Sequence, residues 1–191
     1  MTMPLVGKMA TLSEDWFIDK KTTEVEPSLS PGFIVSSQKS LKTVIETDEQ
    51  LSRKYTISGK IDLLIEFDDG TFGIFDCKNT SGDSDKSWMY HTQLAAYKYC
   101  FERMGLGEVS QIGLIYQIID GFNKSEDGTS NFTTQQKFVN VTPKMDQFEK
   151  LLSSVIQCLE SETTPNSSPN CSFCKFAENY NENLNLYSED F

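Results

Sequence analysis

Two strand-like segments joined by a tight turn constrain the fold of this chain most strongly. Residues 55–67, YTISGKIDLLIEF, carry apolar side chains at alternate positions, and residues 72–78, FGIFDCK, form a second apolar run. Between them, DDGT at 68–71 has the composition of a β-turn. Because alternation with a period of two is typical of strands, the two segments are predicted to form an antiparallel β-hairpin.

The length of the turn decides which side chains of the hairpin face each other. A two-residue turn at 69–70 would place Asp62 opposite Cys77. A three-residue turn over 68–70, with its glycine left-handed, would place Asp62 opposite Asp76. This second register leaves the other face of the hairpin almost entirely apolar, with Ile61, Leu63, Ile65, Phe67, Phe75 and Cys77. We therefore predict the three-residue turn.

The two carboxylates and a nearby lysine form a group suited to phosphodiester hydrolysis. Asp76 and Lys78 point to one face of their strand, because side chains alternate. Two ionised carboxylates at close range repel each other, and Mg²⁺ or Mn²⁺ relieves that repulsion. Such a cation activates water and polarises a phosphate, while a lysine stabilises the developing charge. Alternatively, Asp76 and Lys78 are a solvated strand end. That alternative is weakened because Asp62 and Asp76 interrupt apolar strands, where burying an acid is costly.

Three short motifs follow one another in this part of the chain. They are Gly59-Lys60-Ile61-Asp62, Asp76-Cys77-Lys78-Asn79-Thr80 and Gln93-Leu94-Ala95-Ala96-Tyr97. Their order and spacing resemble the PD-(D/E)xK nuclease superfamily, especially its RecB-like exonuclease branch, which includes CRISPR-adaptation-type exonucleases. That branch shows G-x-x-D, then a strand ending D-x-K-T, then a helix bearing Q-x-x-x-Y. The resemblance covers about residues 55–105, and Asn79 stands where threonine is more common.

The resemblance implies a metal-dependent site on the hairpin. By it, Asp62 and Asp76 are the metal ligands and Lys78 is the catalytic lysine. The backbone carbonyl of Cys77 is a third ligand in this scheme. The implied cofactor is Mg²⁺ or Mn²⁺, both of which prefer oxygen donors.

The helix after the hairpin completes the implied site. By the resemblance, Gln93 reaches toward the metal-bound water or the scissile phosphate, with Tyr97 one turn further along the same helix face. Alternatively, both residues only pack the helix on the sheet, with Tyr97 in the core. Many relatives also carry a histidine or glutamate on an N-terminal helix. The single histidine, His91, lies on a different part of the Gln93 helix, so Glu46 is our predicted N-terminal acid.

The remaining segments predict an α/β fold. We predict a helical turn around 14–20, a short amphipathic helix over 36–46, a helix over 88–104, strands over 111–120 and 135–142, and a helix over 143–160. With the resemblance, this indicates a single restriction-endonuclease-like domain, with a central mixed β-sheet flanked by helices and an αβββαβ-type core. The domain is expected to span 1–162, followed by a linker and a C-terminal CxxC-containing tail over 163–191.

Two cysteines in the tail have the spacing of a metal knuckle. Cys171-x2-Cys174 is a pattern found in zinc and iron–sulfur sites, and some RecB-like exonucleases hold a [4Fe–4S] cluster with one N-terminal and three C-terminal cysteines. This chain has no cysteine before Cys77, while Cys100 and Cys158 belong to predicted helices. Since four converging ligands are not evident, we expect neither an iron–sulfur cluster nor zinc.

The charge and composition of the chain limit its partners and its location. A net charge of -11, from 28 acidic and 17 basic residues, argues against a broad nucleic-acid-binding surface. A local basic groove or a carboxylate metal site remains compatible with it. The five cysteines form no disulfide framework, no apolar run is long enough to span a membrane, and the N-terminus carries no secretory pattern. We therefore expect a cytoplasmic protein.

These inferences converge on a metal-dependent nuclease that hydrolyses DNA phosphodiester bonds. By the resemblance it is exonuclease-like and acts on single-stranded DNA or duplex ends. It acts alone, as a homo-oligomer or with a protein partner. We expect no membrane partner. The alternative is a catalytically silent protein of the same fold that binds nucleic acid or a protein partner. An endonuclease would share the same active site.

Overall fold

The computed structural model describes residues 4–45, 53–82, 86–177 and 179–180. Its helices and strands follow the chain in this order: α1 (Pro4–Phe17), α2 (Thr22–Val25), β1 (Gly32–Ile45), β2 (Tyr55–Phe67), β3 (Phe72–Thr80), a 3₁₀ helix (Ser87–Tyr90), α3 (His91–Arg103), β4 (Val109–Lys124), β5 (Ser130–Asn140) and α4 (Met145–Glu160). Residues 1–150 form one compact unit and residues 151–191 a second, so the division falls within α4. The boundary expected after residue 162 stays a prediction.

The described strands form one mixed sheet in the order β1-β2-β3-β4-β5. β3 and β4 run parallel, and the other neighbouring pairs run antiparallel. Parallel neighbours cannot be joined by a hairpin, and α3 makes the crossover between them. Apart from the one-turn α2, the order α1-β1-β2-β3-α3-β4 confirms the predicted αβββαβ core.

The turn between β2 and β3 has the predicted three-residue form. Gly70 is left-handed, with a φ of 84°, and the N–H of Phe67 donates to the carbonyl of Thr71 at 2.9 Å across the turn. The Oδ1 atom of Asp69 also accepts hydrogen bonds from the backbone N–H and the hydroxyl of Thr71. The predicted register is therefore confirmed, and its continuation sets Asp62 opposite Asp76.

One face of the sheet carries the hydrophobic core that the register requires. This core comprises Phe17, Leu29, Ile34, Leu63, Ile65, Phe67, Phe75, Cys77 and Ile115. Cys77 lies among these side chains as predicted, and burial raises the pKa of its thiol well above the ordinary range. Because only the thiolate is a strong nucleophile, the Cys77 side chain is inert at neutral pH.

Helix α3 covers the opposite face of the sheet. Its buried side chains are Leu94, Ala95, Tyr97, Tyr99, Cys100 and Phe101, and Phe101 packs on Phe72 with ring centroids 5.1 Å apart. The helix ends before Gly105, which is left-handed with a φ of 68°. Glycine adopts this conformation readily, so it ends the helix near the predicted residue.

The helix predicted over 36–46 is wrong, because residues 32–45 form strand β1 against β2. Leu41, Val44 and Ile45 are spaced as on a helix face, but in the strand Leu41 and Ile45 are buried while Val44 is 53% exposed. Thr43, Val44 and Ile45 are β-branched, which favours an extended backbone. The free edge of β2 also needs a hydrogen-bonding partner, and β1 supplies it.

Other elements are longer than predicted. Helix α1 covers Pro4–Phe17 rather than a single turn around 14–20. β4 and β5 extend into residues 121–134, between the strands predicted over 111–120 and 135–142, and are joined by a turn at 125–129. No helix among the described residues is both long and apolar enough to cross a membrane.

We predict that Gly70→Ala lowers the free energy of unfolding by about 1 kcal/mol, since an L-residue is strained at positive φ. A matched control is Gly82→Ala, where an added Cβ meets no atom within 4 Å and the backbone is not left-handed. This control is expected to change stability by less than about 0.5 kcal/mol. Urea titrations of the two variants and the wild type measure both effects, and equal losses would contradict the prediction.

Candidate active site

The predicted aspartates meet where strands β2 and β3 separate. Backbone pairing of the two strands ends at the pair Leu63 and Phe75. Directly beyond it, the Oδ2 atom of Asp62 accepts a hydrogen bond of 2.9 Å from the N–H of Cys77. In a continued ladder a backbone carbonyl of β2 would serve such an N–H. The carboxylate takes that place, which holds Asp62 beside β3.

Asp76 is a buried carboxyl, with only 1% of its surface exposed. Its Oδ1 atom accepts a hydrogen bond of 2.8 Å from the Nε2 of Gln93. Its Oδ2 atom forms an ion pair with the ammonium of Lys78. Burial, and next the negative charge of Asp62, raise the pKa of Asp76 from 3.8 to about 6. The ionised form of Asp76 therefore lowers the free energy of unfolding of the protein.

Lys78 is the cation nearest to this carboxylate. Burial alone would lower the pKa of its ammonium, but the charges of Asp76 and Asp62 outweigh burial and raise it. The ammonium also lies 4.8 Å from the ring centroid of Tyr90, within range of a cation–π interaction. Lys78 therefore stays protonated at neutral pH and can stabilise negative charge, but it cannot act as a base.

Gln93 and Tyr97 reach the site from α3. The Nε2 of Gln93 donates to Oδ1 of Asp76 and also to the hydroxyl of Tyr97, at 2.7 Å. The ring of Tyr97 is buried against Gly59, where an added Cβ would lie 2.8 Å from its Cε1 atom. Tyr97 thus both packs α3 on the sheet and joins the polar network, and the glycine of the G-x-x-D motif makes room for its ring.

A third acid comes from helix α1. Glu14 is 4% exposed, and the Nε2 of Gln38 donates a hydrogen bond to its Oε2. The same nitrogen lies 3.5 Å from Oδ1 of Asp62. Burial is the main cause of the raised pKa of Glu14, and the charge of Asp62 adds to it. The amide of Gln38 therefore links the carboxylate of α1 to that of β2.

The sequence predictions missed both of these residues. Glu46, the predicted N-terminal acid, lies outside the described residues. Glu14 had one usable signal, since it shares the buried helix face of Phe17, where an acid is unexpected. Gln38 had none, because it lies in a segment predicted as helix. In the structure it is a non-glycine residue with a φ of 55°, a conformation that is often retained at functional sites.

The family of the chain follows from its sequence as a whole. The family model of the PD-(D/E)XK nuclease superfamily matches residues 8–178. The chain belongs to this superfamily. A search of curated proteins found no match. Among solved structures, the chain is similar to the crystal structure of SSO0001, with 19% sequence identity and a TM-score of 0.41. The alignment covers 74% of this chain, which spans 58% of the length of that one.

PD-(D/E)XK nucleases typically use Mg²⁺ or Mn²⁺, and the donors of this site suit such an ion. The Oδ2 atom of Asp76 is buried and paired to the ammonium of Lys78, and burial together with the Asp62 charge raises the pKa of this carboxyl. In the described part of the chain, no group of three or more His, Cys, Asp and Glu side chains is arranged to hold a metal. Two carboxylates and further oxygen donors fit Mg²⁺, which keeps several of its waters. The carbonyl of Cys77 stays a predicted ligand.

The two tail cysteines of this member of the PD-(D/E)XK superfamily lie in the second unit, close to each other. The backbone N–H of Cys174 donates to the Sγ of Cys171 at 3.4 Å. Across the described ranges, no third His, Cys, Asp or Glu completes a metal-binding group with them. We derive no chemistry for this pair.

We predict that Asp76→Asn stabilises the metal-free protein at neutral pH. The folded-state pKa of Asp76 is raised from 3.8 to about 6. Its carboxylate therefore destabilises the fold above about pH 6, and this cost disappears as the pH falls toward 4. The variant should raise the free energy of unfolding by about 1–3 kcal/mol near pH 7.5, with little gain near pH 4.

Urea titrations in the presence of a chelator, at both pH values, measure this difference. Asp120→Asn, on the exposed part of β4, is the control and should change stability by less than about 0.5 kcal/mol at either pH. An Asp76→Asn variant that is less stable than wild type near pH 7.5 would contradict the assigned cost of this charge.

Proposed function

We propose that the protein is a metal-dependent deoxyribonuclease of the RecB-like exonuclease type, which hydrolyses phosphodiester bonds of single-stranded DNA or of duplex ends. The observation that carries the proposal is the buried Asp76, held beside Asp62 and ion-paired to Lys78 at the point where β2 and β3 separate. Membership of a nuclease superfamily supports the reaction class. The choice of DNA and of an exonuclease rests on the motifs G-x-x-D, D-x-K and Q-x-x-x-Y.

In this proposal Asp62, Asp76 and the carbonyl of Cys77 hold a divalent cation. When bound, Mg²⁺ or Mn²⁺ would lower the pKa of a water and polarise the scissile phosphate. The N–H of Cys77 fixes Oδ2 of Asp62, while Oδ1 makes a long contact of 3.5 Å with the Nε2 of Gln38 and is the oxygen that would take the cation. Gln93 likewise fixes Oδ1 of Asp76, so that Oδ2 keeps one orientation. Such fixed carboxylates need little reorganisation when they bind a cation.

Lys78 has the charge that phosphate chemistry needs. Its ammonium stays protonated because of the two aspartates beside it. Once a cation binds the carboxylates, the ammonium is free to turn from Oδ2 of Asp76 toward a phosphate oxygen and to stabilise the charge that develops there. Glu14 is linked to Asp62 through the amide of Gln38.

We predict that the protein cleaves labelled oligodeoxynucleotides with Mg²⁺ or Mn²⁺ and not with a chelator. Asp62→Asn, Asp76→Asn and Lys78→Met should each lower the cleavage rate by a factor of about 100 or more, because each removes a ligand or the charge that stabilises the reaction. Asp120→Asn and Lys124→Ala, exposed on β4, are the matched controls and should cleave at the wild-type rate.

Comparison of linear and circular single-stranded DNA tests the exonuclease part of the proposal. Cleavage of both at equal rates would assign an endonuclease that uses the same residues. Equal activity of the wild type and all three site variants would reject the site itself.

A catalytically silent relative that binds nucleic acid or a protein is the second candidate, and the net charge of -11 favours it. Calorimetric titration with Mn²⁺ separates the two. For a nuclease we predict that Asp62→Asn and Asp76→Asn weaken Mn²⁺ binding by a factor of about 10–100, while Asp120→Asn does not. Absence of any Mn²⁺ binding that depends on these aspartates would favour the silent protein.

A further inference from the structure

A cavity of about 450 Å³ lies between helix α1 and strands β3, β4 and β5. The helix contributes Met9, Leu12, Ser13 and Trp16, and the strands contribute Asn79, Gln117, Thr134 and Gln136. The helix residues are spaced by three and four positions, so they share one face of α1. The strand residues are all uncharged and polar. The cavity therefore has one largely apolar wall and one wall of amides and hydroxyls.

The polar wall is a row of side chains across three neighbouring strands. Asn79 pairs with Gln117 across β3 and β4, and Gln117 pairs with Gln136 across β4 and β5. The Nε2 of Gln117 donates to Oε1 of Gln136 at 3.0 Å, and the hydroxyl of Thr134 donates to Oε1 of Gln117 at 3.3 Å. These bonds orient the amides but use only part of their capacity, since each carboxamide has two N–H donors and two acceptor positions.

The apolar wall carries an exposed indole. Trp16 is 56% exposed, although it is one of the largest apolar side chains of the chain. The ammonium of Lys20 lies 4.4 Å from the centroid of its ring. Because this ammonium lies over the ring, it covers one face of the indole. A nucleic acid base would stack on the other face, with the positive charge near its phosphate.

The position of the cavity relates it to the candidate active site. Asn79 directly follows Lys78 on β3, and the two side chains point to opposite faces of the strand. A DNA strand that crosses this end of β3 would have a phosphate on the Lys78 side and a neighbouring base on the Asn79 side. The lining carries no charged residue, which suits a neutral base. The nearby cations for the phosphates are Lys20, which lies over the Trp16 ring, and Lys78 on the opposite face of β3.

We infer that this cavity binds one nucleobase of the DNA strand whose phosphate lies at Asp76 and Lys78. Trp16 stacks on the base, and the amides of Asn79 and Gln117 hydrogen-bond to its edge. This inference rests on the proposed function for its choice of ligand. It also accounts for how a chain of net charge -11 binds DNA, because stacking and amide contacts replace many of the phosphate contacts that an acidic surface disfavours.

The test measures binding, with cleavage prevented by the Asp76→Asn substitution. The probe is a fluorescein-labelled single-stranded oligodeoxynucleotide, followed by anisotropy, and a series of the same probe carries one abasic site at successive positions. Loss of the stacked base should weaken binding by about tenfold at one position. The abasic site should have little effect at the other positions.

Variants assign that penalty to the cavity. Trp16→Ala should weaken binding of the intact probe by about tenfold and abolish the position-dependent penalty, whereas Trp16→Phe should retain both. Gln117→Leu should reduce the preference among bases at that position. Trp88→Ala removes the other of the two tryptophans, which is 70% exposed on the 3₁₀ helix and does not line the cavity. The Trp88→Ala variant should keep the position-dependent penalty of the abasic site. Urea titration and circular dichroism establish that each variant folds.

Three results would overturn the inference. The first is an abasic series without a position-dependent penalty, and the second is a penalty that persists in Trp16→Ala. The third is a nucleoside 5′-monophosphate that binds as tightly as the oligonucleotide, since the cavity would then serve free nucleotides. Binding is separate from cleavage, so the two proposals fail separately. A penalty without cleavage by the wild type rejects the nuclease, and cleavage without a penalty rejects only the base site.

Discussion

The hydrogen bond from the N–H of Cys77 to the carboxylate of Asp62 is the interaction on which the site depends. The N–H of Cys77 has no carbonyl partner on β2, because backbone pairing ends at Leu63 and Phe75, and the carboxylate of Asp62 accepts its hydrogen bond instead. The bond also holds Asp62 beside β3, the strand that carries Asp76. It also explains why the strands separate at this point, since a side chain occupies the place of a carbonyl. The turn at Gly70 sets the register that makes this bond possible, because a shift of one residue would turn Asp62 to the core face.

Three carboxylates lie close together in the site, and the side chains of two glutamines donate hydrogen bonds to them. Glu14, Asp62 and Asp76 lie in one neighbourhood, and burial together with mutual repulsion raises the pKa of Glu14 and of Asp76. Gln38 and Gln93 orient these carboxylates by hydrogen bonds without neutralising them, and Lys78 supplies a positive charge next to Asp76. A divalent cation would relieve the unfavourable charge that remains, so the arrangement that costs stability would also favour binding of the proposed cation.

Because side chains alternate along β3, the candidate active-site residues lie on one face of the strand and the core residues on the other. Asp76 and Lys78 face α3, whereas Cys77 lies in the core and Asn79 lines the cavity beside α1. The thiol of Cys77 is buried and serves packing, while the backbone N–H of the same residue holds the carboxylate of Asp62 in place. The two sides of one strand thereby bring the proposed phosphate site and the proposed base site within reach of one DNA strand.

The sequence by itself determined the hairpin, its register, helix α3 and the placing of Asp62, Asp76 and Lys78 on one face. These follow from local rules, because alternation, a left-handed glycine and helix spacing each act over a few residues. The addition of Gln93 and Tyr97 to this group came from the resemblance of the three motifs to the superfamily. Those local rules did not predict strand β1, since the spacing of Leu41, Val44 and Ile45 fits a helix face as well as a strand. Only the tertiary structure decided it, through the edge of β2 that needed a partner. The same holds for Glu14 and Gln38, whose contacts with Asp62 join segments distant in sequence and exist only once α1 and β1 pack beside β2.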